Sequence, residues 1–370
     1  MVANSSQRWL RVAAALLLAT TSVAAQSTSS APFVPEIAKT QLANGVFLLA
    51  GGPDGYVDGT NTVVVVNDKG VLVFDTSTRP ATARAILAEI RKITDKPVRY
   101  VVNSHWHPNH WSGNEVFADA FPNVEFIATE QAKTYMLNMG NFFAPRFKQR
   151  LPKTEAMYAS EIATGKDADG STLSPKELAD ETTFMTRYRT FVAETQTVRR
   201  TYPTLTYVDE LRLGHVGRGN QEIVLMSVTG DAEGTTVMYL PQGKVLVTGD
   251  AVSYPLPYTT PPPSRHAKSL RTLARLDVDA IVPGHGPVFR DRSFINLEAE
   301  FLETAVARVQ VSLRKPLFLL ADVQKDVNMD DFRVRFTKDD PTLNKQFAGF
   351  ASGVVRLAYL ESRDNQESRP

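Results

Sequence analysis

The sequence predicts a mixed α/β fold in which two β-sheets pack face to face with helices outside, and three observations predict it. Short runs of strand character at 46–50, 62–66 and 71–74 are separated by turn residues such as Asn67-Asp68-Lys69-Gly70, the pattern of an antiparallel meander. A second group of such runs, 207–213, 222–228, 235–240 and 244–248, comes much later in the chain, and each group leads into helical patterning. Between them, from about 135 to 205, charged and aromatic residues recur at helical intervals without strand-like alternation, which reads as a helical insertion.

Taken in order, the chain opens with Arg8 and Arg11 ahead of the apolar run 12–19 and the small residues Ser22-Val23-Ala24-Ala25, so residues 1–25 read as a signal peptide. The apolar run is short for a bilayer span of about 20 residues, so no stable membrane insertion is expected after cleavage. The mature protein is expected to be exported, periplasmic or secreted. Residues 26–36, rich in Ser, Thr and Pro, read as a flexible leader. The main domain is assigned to 37–290. Within it Pro80 opens a helix with Ala83, Ile86, Leu87, Ile90 and Ile93 at helical spacing, ending near Asp95-Lys96-Pro97. A strand at 98–102 follows, then a short helix after Gly113-Asn114, a strand at 124–128 and a helix from Thr129. After the insertion and the second strand group, a helix at 264–276 and a strand at 280–282 lead to Pro283-Gly284-His285-Gly286-Pro287. A helix at 296–315 begins a helical C-terminal extension, 291–370.

Composition narrows the function classes. The chain has 370 residues, ample to bury a core, with 41 Lys and Arg against 40 Asp and Glu and no long basic run, so no nucleic-acid partner is expected. It has no cysteine, which excludes disulfides, thiolate nucleophiles and cysteine metal ligands together. The insertion either shapes a site, forms a homodimer face or is simply a solvated surface.

The chemistry concentrates in His105-Trp106-His107-Pro108-Asn109-His110, which holds three of the six histidines directly after the 98–102 strand. Imidazole is a common ligand for zinc and similar metals, and a catalytic site needs about three protein ligands and an open position. Two histidines one residue apart at a strand end, with a third on the following turn, suit two adjacent metals. This segment resembles the His-x-His-x-Asp-His signature of the metallo-β-lactamase superfamily, with Asn109 at the aspartate position. Gly249-Asp250 after a strand resembles that family's bridging aspartate, and Pro283-Gly284-His285-Gly286-Pro287 its final histidine, on a turn where backbone passes close to the site. Asp75, ending the run 71–74, resembles a family aspartate that holds a ligand histidine in one tautomer. The resemblance covers roughly residues 40 to 290 and implies an αββα sandwich with metal ligands on loops at one edge.

Two positions depart from the family pattern. Counting back from Tyr239-Leu240-Pro241 places Asp231, in Gly230-Asp231-Ala232-Glu233-Gly234, where the family carries a third histidine of the first metal. Asn109 replaces a carboxylate that binds the second metal. One carboxylate is lost and one gained, so the formal ligand charge is unchanged. The resemblance then implies a first metal on His105, His107 and Asp231 and a second on His110, Asp250 and His285, with Asn109 a weak oxygen ligand and Glu233 a poorer substitute for Asp231. Asp250 and Asn109 are the expected catalytic positions. Zinc, one or two per chain, is the expected metal, and the harder carboxylate oxygens also suit iron or manganese. The expected activity is hydrolysis of a small-molecule ester, lactone, amide (a β-lactam among them) or sulfate ester by metal-activated water; the alternative is a metal-poor binding protein of the same fold. His215 is expected to be a surface or packing residue, His266 to lie near the mouth, and Trp106 and Trp111 to form packing or substrate walls.

Overall fold

The computed structural model describes residues 36–51, 59–139, 142–168, 170–213, 220–315 and 319–367. The expected signal peptide, His215 and all but the last residue of the leader lie outside the described residues. The first sheet takes seven strands in sequence order, β1 (Ala38–Ala43), β2 (Val46–Ala50), β3 (Asn61–Asn67), β4 (Gly70–Phe74), β5 (Val98–Val102), β6 (Glu125–Thr129) and β7 (Leu205–Tyr207). β1 to β4 are an antiparallel meander, and β4 to β7 pair in parallel. Parallel pairing requires crossovers, supplied by α1 (Pro80–Ile93) and, around the histidine loop, α2 (Pro108–Trp111) and α3 (Asn114–Ala120). After β6 come α4 (Glu130–Met139), α5 (Phe143–Thr164) and α6 (Pro175–Thr195).

The second sheet holds β8 (Glu210–Leu213), β9 (Ile223–Val228), β10 (Thr235–Leu240), β11 (Val245–Gly249) and β12 (Ala280–Pro283) in the order β12-β11-β10-β9-β8. α7 (Pro263–Leu273) is the crossover that makes β12 parallel to β11. The chain ends in α8 (Ser293–Ser312), α9 (Leu320–Asp326), α10 (Arg333–Thr337) and α11 (Pro341–Glu367). No helix among the described residues is long and apolar enough to cross a membrane.

Strand alternation builds the layers. Val63, Val65, Leu72, Phe74 and Val102 face Ile223, Leu225, Met238, Val245 and Val247 across the space between the sheets. Their neighbours Val64, Val71, Val73 and Val101 point the other way, onto Ala83, Ile86, Leu87 and Ile90 of α1 and Phe117 of α3. A strand buried on both faces has no polar side, which is why β3 reads as an unbroken valine run. On the outer face of the second sheet, Val237 and Leu246 pack with Leu270 of α7, Phe301 and Leu302 of α8 and Phe347 of α11. The result is the expected helix, sheet, sheet, helix stack.

One local expectation is corrected, and one strand goes unannounced by the sequence. The run 207–213 is not one strand: it divides between the sheets, β7 pairing with β6 and β8 with β9, with Val208 exposed at the crossing. β1 carries no strand signal because it is an edge strand with mostly exposed residues, held by its backbone register on β2.

α5 and α6 bury Tyr158, Phe184, Met185, Tyr188, Phe191 and Val192 in a cluster of their own. α6 starts with a reciprocal capping box, Ser174 with Glu177, ahead of Pro175 at its first turn. At its far end Glu194 accepts from the fully buried guanidinium of Arg79, with Nε at 2.9 Å and Nη2 at 3.2 Å, which ties α6 to the loop after β4. At the start of α5, Phe143 lies 5.9 Å from the Trp106 ring and 6.3 Å from the His107 ring.

Candidate metal centre

Four loops at one edge of the two sheets meet. The first leaves β4. Asp75 adopts a left-handed conformation (φ 61°), rare for a residue with a side chain, and its amide donates to the Val102 carbonyl at 2.8 Å. The bend directs its carboxylate under the histidine loop. There Oδ1 accepts from the Ser104 amide at 2.7 Å, and Oδ2 accepts from Ser104 Oγ at 2.8 Å and from His110 Nδ1 at 2.7 Å.

The second loop leaves β5. The Ser104 hydroxyl donates to Asp75, so it accepts from His105 Nδ1 at 2.9 Å, and the His105 lone pair falls on Nε2. His110 is fixed likewise by Asp75, with Nε2 facing inward. Below them Asn103 and Asn114 exchange amide hydrogen bonds of 3.0 and 2.9 Å, and Thr76 donates its amide to the His110 carbonyl at 2.9 Å. His107 precedes Pro108, whose fixed φ starts the four-residue α2. His107 Nδ1 stands 3.1 Å from Asp231 Oδ2 and 2.8 Å from His105 Nε2.

The other two loops leave the second sheet. Asp231 sits between β9 and β10, its amide donating to the Asp250 carbonyl at 3.1 Å and its carbonyl accepting from the Thr260 amide at 3.1 Å and Oγ1 at 2.5 Å. Asp250 follows Gly249, which has φ 49°; a Cβ there would lie 2.6 Å from that of Ser104. Asp250 Oδ2 lies 3.2 Å from His110 Nε2, 3.6 Å from His285 Nε2 and 3.8 Å from His105 Nε2. His285 turns inward after β12, with Nδ1 against the Gly59 carbonyl at 3.3 Å. Asn61 of β3 clamps this turn by donating Nδ2 to the carbonyls of Pro283 and Gly286, both at 2.9 Å. A Cβ on Gly284 would stand 2.0 Å from Asp250 Oδ1, so only glycine fits.

Donor atoms of His105, His107, Asp231 and Asp250 lie within 4.8 Å of one another, and so do those of His110, Asp250 and His285; Asp250 belongs to both groups. Asn109 reaches only the second group, its Nδ2 standing 2.8 Å from His110 Nε2 and 3.0 Å from His285 Nε2. Oδ1 of Asn109, Asp231 and Asp250 are each buried without a hydrogen-bond partner. Buried acceptors are normally satisfied, so three orphaned oxygens beside inward imidazole nitrogens fit a site for cations.

The electrostatics agree. Burial would raise the Asp250 carboxyl, but His110 and His285 outweigh it and hold it well below the usual carboxylate range. Burial alone would lower His110; Asp250 and Asp75 overcome this and raise it to about 10. His105 is pushed well down by burial and by the neighbouring His110 and His107, and His285 down by burial. Burial raises Asp231 against the pull of His107.

All six expected metal-ligand positions therefore converge, and Asn109 lies among them. Glu233 does not join: Arg265 engages it at 2.7 Å. Trp106 lies 4.4 Å from the His107 ring at a tilt of 53°, while Trp111 is packed inside with Nε1 donating to the Trp106 carbonyl at 2.8 Å. His266 is corrected: it is fully buried, not at the mouth, and donates from Nε2 to the Ala251 carbonyl at 2.9 Å. Ser104 and Asn114 also support the centre although neither carries a ligand signal in the sequence, and Ser104 directly precedes His105.

Comparison with known proteins bears on the whole centre. The model of the metallo-beta-lactamase superfamily matches residues 55–285. A linear primary-alkylsulfatase from Pseudomonas sp. is 25% identical over 254 residues, 65% of this chain and 44% of that protein. The structure of the stereoselective inverting sec-alkylsulfatase Pisa1 from Pseudomonas sp. superposes with a TM-score of 0.57 at 16% identity, covering 90% of this chain and 52% of that one. A double mutant of sec-alkyl sulfatase PisA1 gives 0.58 at 17% identity, covering 88% and 50%. The structural likenesses speak to the fold alone. The chain spans about half the length of these relatives.

Proposed function

The chain belongs to the metallo-beta-lactamase superfamily, and from that premise we propose that it is an exported, metal-dependent hydrolase acting on an ester bond, with sulfate esters foremost. Superfamily membership and likeness to an alkylsulfatase support a hydrolase, and the relative's named activity favours the sulfate ester among the ester, lactone and amide bonds open to such a site. One observation carries the reading: four imidazoles and two carboxylates converge with three buried oxygens lacking partners.

In this reading His105, His107 and Asp231 would hold a first divalent cation and His110, Asp250 and His285 a second, Asp250 belonging to both donor groups. A cation held there supplies Lewis acidity and makes hydroxide available near neutral pH. Zinc suits the imidazoles; the two carboxylates also accept iron or manganese. Asp75 and Ser104 fix the tautomers of His110 and His105 and leave Nε2 of each free to face a cation. The side chain of Asn109 neither gives nor takes a proton, so proton delivery to the leaving group falls to another donor. Trp106 and Phe143 flank the His107 side and offer an apolar wall to the substrate's organic group.

A second reading, a member that holds one metal or none and serves as a binding protein, draws on Asn109. Its Nδ2 stands 2.8 and 3.0 Å from the two nitrogens that a second cation needs. Metal analysis of the purified chain, followed by hydrolysis of aryl and alkyl sulfates, carboxylic esters, lactones and a β-lactam with and without chelator, separates the two. Chelator-sensitive cleavage supports the hydrolase. A chain that retains no zinc, iron or manganese after reconstitution removes it.

A further inference from the structure

Two fully buried titratable side chains, Glu298 and His266, stand outside both ligand groups and are not used by the chemistry above. Glu298, on α8, turns both carboxylate oxygens to the Ser253 amide, at 3.3 and 3.1 Å. His266, on α7, donates Nε2–H to the Ala251 carbonyl at 2.9 Å, and its Nδ1 is buried without a partner. Ala251 and Ser253 follow Asp250 directly. Burying a carboxylate and an imidazole among apolar neighbours is costly, and an aliphatic side chain in either place would add to the core of α7 and α8 instead. The cost is matched by what each group grips: one carbonyl and one amide on the short segment that carries the shared carboxylate. The segment is also held by backbone contacts, from the Asp231 amide to the Asp250 carbonyl and from the Ala251 amide to the Thr248 carbonyl, both 3.1 Å, and the Ser253 hydroxyl donates to the Tyr258 carbonyl at 3.1 Å. Gly230 abuts it so closely that a Cβ would stand 2.8 Å from the Ala251 Cα. Glu298 also lies beyond residue 285, where the superfamily match ends.

We propose that Glu298 and His266 are positioning residues which hold segment 251–253 and thereby set where the Asp250 carboxylate stands between the two histidine groups. The inference rests on the metallohydrolase reading for its consequence, retention of metal. It makes α8, from the C-terminal part of the chain, a component of the centre that touches neither metal nor substrate. Burial raises the Glu298 carboxyl well above its ordinary value, and Asp231 and Asp250 add to this, which agrees with a group close behind the site.

The test compares Glu298→Leu, which has no acceptor, with Glu298→Gln, which keeps one, and His266→Leu with His266→Gln in the same way. Zinc affinity is read by chelator competition. Loss of an outer support of this kind costs about 10- to 100-fold, so the leucine variants are expected to fall by that much and the glutamine variants to recover most of it. Amide hydrogen exchange on the metal-free proteins is read in parallel. Faster exchange in 251–253 in Glu298→Leu, restored in Glu298→Gln, with β9 and β10 unchanged, is the expected pattern. Wild-type zinc affinity in Glu298→Leu, or exchange raised evenly across the second sheet, overturns the proposal. A wild-type chain that holds no zinc sinks the hydrolase reading instead, and the exchange pattern still decides for or against the clamp.

Discussion

The two halves of the centre are held by different means. On the first sheet, ring orientation is set by side chain acting on side chain: Asp75 grips Ser104 and His110, and Ser104 grips His105. On the second sheet the carboxylates are placed through the main chain, by Thr260 on Asp231 and by His266 and Glu298 on the residues after Asp250. The difference follows from the ligands. An imidazole offers one of two nitrogens, so its tautomer has to be chosen. A carboxylate offers equivalent oxygens and needs only its backbone in place.

The sharpest way to break this comparison is at Asp75. Asp75→Ala leaves the Ser104 amide, its hydroxyl and the His110 Nδ1–H without their acceptor inside the protein. We expect a loss of about 3–5 kcal/mol in denaturant unfolding of the metal-free protein, the range for breaking a buried charged pair, together with loss of metal. Asp231→Ala should behave in the opposite way. Its Thr260 contacts are to the backbone carbonyl and survive, and a desolvated carboxylate is removed. Stability of the metal-free protein should hold or rise, while metals per chain fall and hydrolysis drops by a factor of about 100 or more. If Asp231→Ala unfolds the protein and Asp75→Ala does not, the division of labour is reversed.

A pH experiment isolates one support of the second half. Burial lowers His266 from 6.5 to about 4, so between those values the unfolded chain binds a proton that the native chain refuses. The contribution of His266 is therefore present above pH 6.5 and lost as pH falls toward 4, by at most about 3 kcal/mol at 1.4 kcal/mol per unit. Urea unfolding of the metal-free protein at pH 7 and pH 4.5 should show a smaller acid loss in His266→Gln than in the wild type. Equal losses would exclude His266 as the source.

The smallest expected effect concerns the second group alone. Asn109→Asp exchanges an amide that stands against His110 and His285 for a carboxylate able to bind a cation. Affinity for a second zinc should rise by about tenfold, as expected for adding a charged ligand worth roughly 1.4 kcal/mol, with the first unchanged. Two zincs of equal affinity in the wild type would show that Asn109 is no handicap.

Legibility in the sequence divides along the same line. The histidine loop declares itself because its ligands are neighbours in the chain, whereas Asp231, Asp250 and His285 are legible only through the resemblance to the family pattern, Asp231 by counting back from Tyr239-Leu240-Pro241. The valine-rich strands announce a two-faced burial that the layers display. What the sequence does not show is anything that works at a distance through the main chain. Glu298 lies in the helix expected at 296–315, where nothing in the sequence marks it out, and only the fold brings it to the Ser253 amide. The division of 207–213 between two sheets is hidden for a similar reason, since both halves have strand character and only tertiary pairing distinguishes them.

Asn109 and His285 touch across 176 positions of chain, and Asn61 reaches Pro283 across 222. Contacts of such separation form after local helices and hairpins, because each closes a long loop before any gain is returned. Until β12 lies beside β11, the His285 turn and the Asn61 clamp have nothing to meet. The centre is thus completed late in folding, and a cation bound there would be the seal on a chain that has already brought its two sheets together.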